Sequence, residues 1–169
     1  WIGNGYLIPS GPLREKIDSL KKYDIIFLKG ECFNEEKIFR LIKDQNPEIK
    51  VFQTYYEAVN LNKFNVKNDY LIFSGIGNPN NFRNTLIKNN FNIVDEIIFP
   101  DHYEYKQEDI EKIKFTAKKL NAKIITTEKD YVKLSGKDTD NIDFLEIDLR
   151  IKNERDLINF INPLINEKY

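Results

Sequence analysis

Short apolar runs alternate with amphipathic stretches along the whole chain, and that alternation is what most narrows the fold. Residues 24–28 (DIIFL), 50–53 (KVFQ), 70–73 (YLIF), 93–99 (IVDEIIF), 123–126 (KIIT) and 144–147 (FLEI) read as strands. Several are apolar on consecutive residues, the pattern of strands covered on both faces. Residues 12–20, 34–43, 80–88, 108–120 and 154–167 read as helices. Pro12 suits a first helical turn, and Asn34 an N-cap. Ile38, Leu41 and Ile42 share one helical face, as do Phe82, Leu86 and Ile87, and Ile110, Ile113, Ala117 and Leu120. In the last stretch Leu157, Phe160, Ile161 and Leu164 do the same, with Pro163 expected to bend or split it. Strand then helix, repeated, predicts an α/β fold: a mostly parallel sheet between helix layers, a Rossmann-like three-layer sandwich. Residues 60–68 and 135–143 are the expected exposed loops. At 169 residues the expectation is one domain over 1–169.

Charge and cysteine exclude several classes. The net charge is −1 with basic residues scattered among acids, so nothing draws the chain to nucleic acid. The single cysteine, Cys32, rules out a disulfide framework and suits a reducing compartment. No apolar run approaches the roughly 20 residues that span a bilayer. The chain opens on Trp1 and a glycine loop and contains no methionine, which suggests a piece of something longer.

In a parallel α/β sheet, ligands bind outside the carboxyl ends of the strands. Three polar clusters fall there: Ser74-Gly75-Ile76-Gly77-Asn78-Pro79, Pro100-Asp101-His102-Tyr103 and Thr127-Glu128-Lys129-Asp130. His102 is the only histidine, the side chain best able to exchange a proton near neutral pH. A surface-loop histidine is the competing account. Gly75-x-Gly77 resembles part of a dinucleotide fingerprint, but Asn80 replaces the third glycine, and a tight strand-to-helix turn explains both glycines. Thr127–Asp130 is a plain N-cap with acids in the first turn, except for Lys129. A cation there opposes the helix dipole and implies an anionic group opposite it, a phosphate or a carboxylate. No Gly-x-x-x-x-Gly-Lys-Ser/Thr is present, nor metal-ligand spacing of Cys and His, nor a nucleophile elbow.

In this order, residues 3–15 (GNGYLIPSGPLRE), 73–82 (FSGIGNPNNF), 99–103 (FPDHY) and 126–133 (TTEKDYVK) resemble the carboxyl-terminal half of the tetraacyldisaccharide 4'-kinases. Those enzymes phosphorylate the lipid A precursor of Gram-negative bacteria. The resemblance implies the second domain of a P-loop kinase. The other half would hold ATP and magnesium and make the peripheral contact with the cytoplasmic face of the inner membrane. Residues 1–15 would form the junction, and residues 154–169 a helix packing toward that other half through a sticky apolar patch. The substrate would be an acylated glucosamine disaccharide lipid, taking the γ-phosphoryl of ATP on its 4'-hydroxyl. His102 matches the histidine thought to work with an aspartate of the other half as the hydroxyl attacks. Arg14 and Glu15 match a pair at the domain junction, near nucleotide or sugar. Asn78, Asp101, Glu128, Lys129 and Asp130 match family motifs that shape the cleft or contact the disaccharide. Two other readings stay open: a non-catalytic remnant or lipid-disaccharide-binding module, and a nicotinamide enzyme using Gly75-x-Gly77.

Overall fold

The computed structural model describes residues 2–30, 35–134 and 139–166, so Cys32 and the expected Asn34 cap lie outside the described residues. Among the described residues seven strands and five α-helices follow one another: β1 (Ile25–Lys29), α1 (Glu35–Gln45), β2 (Lys50–Ala58), β3 (Asp69–Ser74), α2 (Pro79–Lys88), β4 (Asn92–Ile98), α3 (Gln107–Leu120), β5 (Lys123–Thr127), α4 (Glu128–Lys133), β6 (Ile142–Leu145), β7 (Ile147–Ile151) and α5 (Glu154–Asn166).

The strands form two sheets, β1-β2-β7 and β4-β3-β5-β6, rather than the single sheet expected. The chain correspondingly divides into two compact units, 1–57 with 149–169, and 58–148. Strand–helix alternation has the same signature whether the strands share one sheet or two, so the sequence pattern does not register the division.

The second unit is the three-layer sandwich. β3 pairs in parallel with β4 and β5, and β5 in parallel with β6. Because side chains alternate across a strand, β3 feeds both faces. Leu71 and Phe73 pack with Ile110, Ile113 and Ala117 of α3 and with Leu134. Tyr70 and Ile72 pack with Phe82 and Leu86 of α2 and with Phe91. The fully buried run Leu71-Ile72-Phe73 is the signature of a strand covered on both sides. Four non-glycine residues with φ between 53° and 64° stand at connector positions: Asn90, Asn121, Asn141 and Asn153. Asparagine tolerates this left-handed backbone better than most side chains.

In the first unit β1 and β2 are parallel, with Leu28, Ile42 and Ile49 as the buried centre and Ile26, Ile38, Phe39 and Val51 around them. Three expectations are corrected here. Residues 12–20 are not a helix: Leu13 N–H bonds to Tyr6 O and Ile8 N–H to Leu13 O, an extended pairing, and only Ile17–Lys22 winds, as a 3-10 helix. The expected strand 144–147 straddles the end of β6 and the start of β7. β7 runs antiparallel to β2, as the bonds Val59 N–H to Glu146 O and Lys152 N–H to Gln53 O at its two ends require. Finally, α5 runs on through Pro163, which sits in its last turns. Leu157 is buried on the inner face of α5, while Ile158, Leu164 and Ile165 are exposed. Among the described residues no helix is long and apolar enough to cross a membrane.

Candidate functional site

The strand order of the second unit creates one special place. α2 leaves β3 toward β4, while α4 leaves β5 toward β6. The carboxyl ends of β3 and β5 are therefore adjacent strands whose connections part in opposite directions, the position where open α/β sheets form a crevice. The three polar clusters meet around it.

The β3–β4 ladder continues past the strands and positions the histidine. Phe99 N–H bonds to Ser74 O at 2.8 Å, and His102 N–H to Gly75 O at 3.2 Å. His102 N–H also reaches its neighbour's carboxylate, Asp101 Oδ1, at 3.0 Å. His102 has φ +61°, the left-handed region that non-glycine residues normally avoid. Its side chain is 77% exposed. The imidazole thus stands proud of the rim on a turn held by two bonds to its own amide, a posture that packing does not explain.

Asp101 is the hub of the exposed charges. Lys129 Nζ lies 3.3 Å from Oδ1, and His102 Nε2 lies 3.8 Å from Oδ2. Partial desolvation pushes the Asp101 carboxyl up, but the Lys129 hydrogen bond, the neighbouring His102 and Lys129 charges and the His102 amide together hold it below the usual carboxylate value. A depressed carboxyl contributes stability above its unfolded value, which is lost as pH falls through the folded one. Lys129→Met is expected to return the Asp101 titration toward the ordinary range, read from its side-chain ¹³C shift. An unmoved midpoint would mean that the lysine does not hold this carboxylate. The anionic group that Lys129 was expected to face is thus a carboxylate of the chain itself.

Other expected cleft residues have different work. Asn78 is the N-cap of α2, its Oδ1 accepting Asn81 N–H at 3.2 Å with Pro79 following. Glu128 is exposed in the first turn of α4. Asp130 is fully buried, so of the two roles expected for it, shaping the cleft or contacting the disaccharide, its position suits the first. Its Oδ2 accepts Gly75 N–H at 2.9 Å and the Thr127 hydroxyl at 2.8 Å, and its Oδ1 accepts Lys133 Nζ at 2.8 Å. Arg14 and Glu15 belong to the first unit, where both are exposed and Glu15 accepts the Tyr23 hydroxyl at 3.3 Å. The Glu15 charge, then that hydrogen bond, holds the Tyr23 phenol above its ordinary value.

Sequence reasoning assigned no site role to Lys133, Tyr103, Glu104 and Tyr105, which with His102 line a cavity of about 450 Å³. The alternating Tyr-x-Tyr after the histidine was the available signal. Tyr105 is buried against Phe73 and Phe99, and burial followed by the charge of Asp130 drives its phenol well above the ordinary value. Tyr103 is likewise raised, by burial first and then by Asp109, whose carboxylate its hydroxyl meets at 3.2 Å.

The glycines of Gly75-x-Gly77 answer to this packing. A Cβ on Gly75 would stand 3.0 Å from the Tyr105 hydroxyl and 3.2 Å from Pro100 O, and one on Gly77 3.1 Å from Asp101 Oδ2. The chain itself occupies the approach that a dinucleotide would need. Among the described residues no group of three or more His, Cys, Asp or Glu side chains is placed to hold a metal. The sequence likewise holds no Gly-x-x-x-x-Gly-Lys-Ser/Thr loop.

Comparison with known proteins agrees along the whole length. The family model described as LpxK, tetraacyldisaccharide-1-P 4'-kinase, matches residues 1–166. A tetraacyldisaccharide 4'-kinase of Pelagibacter ubique is 43% identical over 171 residues, covering 99% of this chain and 53% of that protein. One from Rickettsia bellii is 43% identical over 153 residues, covering 90% and 46%. The chain thus spans about half the length of these curated relatives. A crystal structure of LpxK from Aquifex aeolicus in complex with ATP superposes with a TM-score of 0.61 over 93% of this chain and 47% of that one, at 22% identity, which speaks to the fold. The rim motifs, the sandwich that carries them and a family match from end to end have one meaning: the chain belongs to the tetraacyldisaccharide-1-P 4'-kinase family.

Proposed function

We propose that this chain is the carboxyl-terminal half of an ATP-dependent kinase that phosphorylates the 4'-hydroxyl of a tetraacylated glucosamine disaccharide, and that His102 is its contribution to the chemistry. The observation that carries the reading is the exposed imidazole, held in a left-handed turn at the carboxyl rim with Asp101 and Lys129 beside it. Phosphoryl transfer to a hydroxyl depends on positioning, charge neutralisation and a base for the incoming oxygen. In this half the imidazole accepts, or helps a carboxylate of the other half accept, the proton of the attacking hydroxyl. Asp101 steadies the imidazolium that results, while Lys129 keeps Asp101 ionised and out of competition for that proton. Arg14 and Glu15 serve the junction, and Glu128 faces the cleft.

The nucleotide and its magnesium belong to the P-loop half, as does the peripheral contact with the cytoplasmic face of a Gram-negative inner membrane. The exposed apolar end of α5, at Leu164 and Ile165, suits a helix packing toward that half. A remnant without activity is the outcome that would refute the reading. The test is reconstitution of the chain with the amino-terminal half of a relative, following phosphate transfer from labelled ATP to the acylated disaccharide. Transfer is expected only with both halves present, and its absence from a folded, associated pair would overturn the proposal. Alone, the chain is expected neither to hydrolyse ATP nor to bind it at micromolar concentration by calorimetry. Micromolar binding would move the nucleotide site into this half.

A further inference from the structure

The exposed charges of the rim leave one group unused: a carboxylate sealed beneath them. Asp130 contacts no solvent, yet it stands at the crevice between β3 and β5. It grips Gly75 N–H, and its partner Lys133 reaches Gly75 O at 3.4 Å. That same carbonyl accepts the His102 amide at 3.2 Å. The peptide units flanking Gly75 are therefore held on one side by a buried ion pair and hold the histidine turn on the other. Tyr103 and Tyr105 close over the place where a Cβ would sit, so the glycine has nowhere to shift.

A left-handed histidine is strained, and such a conformation persists only where its surroundings over-determine it. Two bonds to its amide do so here, one local through Asp101 and one through Gly75. Without the second, the turn rests on a single exposed side chain.

We propose that Asp130 is a positioning residue, whose carboxylate sets the height and direction of the His102 turn through the Gly75 backbone. The role rests on the reading of His102 as the chemical group of the rim. Asparagine at 130 fills the same volume but keeps one acceptor oxygen where the carboxylate has two, so its NH2 must face either Lys133 Nζ or the Gly75 and Thr127 donors.

The test is amide hydrogen exchange by NMR on the whole chain. In Asp130→Asn, exchange at Gly75 and His102 is expected to rise about tenfold relative to Ile72 and Ile125 in the neighbouring strands. No rise, or a rise shared equally by those strands, would overturn the proposal. Should Asp130→Asn fail to fold, Lys133→Met decides between the same two outcomes: its side chain is 24% exposed, and its loss releases both the Gly75 carbonyl and the Asp130 Oδ1 that it holds. In a kinase completed with a P-loop half, Asp130→Asn is expected to lower kcat about tenfold with KM for ATP unchanged. An unchanged kcat beside faster exchange would overturn the positioning role. A silent His102→Ala would instead strike the catalytic reading and leave the exchange result standing.

Discussion

Replacing His102 with alanine in a kinase completed by a P-loop half is expected to lower kcat by about 10² to 10⁴, the range for loss of an acid–base partner. KM for ATP is expected to hold, because in the proposed reading the nucleotide belongs to the P-loop half. The fold is expected to hold too: the side chain is mostly exposed, and its amide bonds to Gly75 and Asp101 are made by the backbone. Alanine at φ +61° adds strain comparable to that of histidine, so the thermal midpoint moves little. The comparison separates chemistry from stability in one variant. Turnover within threefold of the parent would remove His102 from the reaction.

The second large effect is on stability. Asp130→Ala is expected to cost about 3 to 5 kcal/mol, the range for breaking a buried ion pair by deleting one partner. The lower end applies to the ammonium, because Lys133 keeps a path to solvent. Gly75 N–H and the Thr127 hydroxyl have none as good, and each stranded donor adds to the loss. Against the 5 to 15 kcal/mol that holds a typical domain, the variant would be near its limit at 37 °C. Urea unfolding monitored by circular dichroism measures it, and a loss under about 1 kcal/mol would show that the carboxylate is dispensable to the fold.

The layers were legible because β3 announces itself: Tyr70-Leu71-Ile72-Phe73 is apolar on both faces, and only a central strand needs that. α2 and α3 were equally plain from Phe82 and Leu86, and from Ile110, Ile113 and Ala117. β7 was hidden because Ile147-Asp148-Leu149-Arg150-Ile151 follows β6 after a single residue, and a strand that crosses to another sheet has no composition of its own. The false helix at 12–20 shows proline serving an extended pairing, where its fixed φ fits as well as in a first helical turn.

At the site, position was readable and role was not. Strand ends located His102, Asp101, Lys129 and Asp130 on one rim, since a parallel sheet forces its loops to gather. Burial separated them afterwards. Asp130 and Lys129 are adjacent in sequence, but a helix turns each residue by about 100°, and that rotation sends one into the sheet and the other to the surface. Nothing in the string Thr-Glu-Lys-Asp says which side faces in until α4 is docked.

The asparagine connectors carry a consequence for how such a rim can change over time. Asn90, Asn121 and Asn141 stand just before β4, β5 and β6, at the edge of the sheet remote from the histidine. These sharp links anchor each strand from behind. In front, only the Asp130–Gly75 tie is structural, so the exposed positions around it can be rewritten to suit a new acceptor while the scaffold stays put.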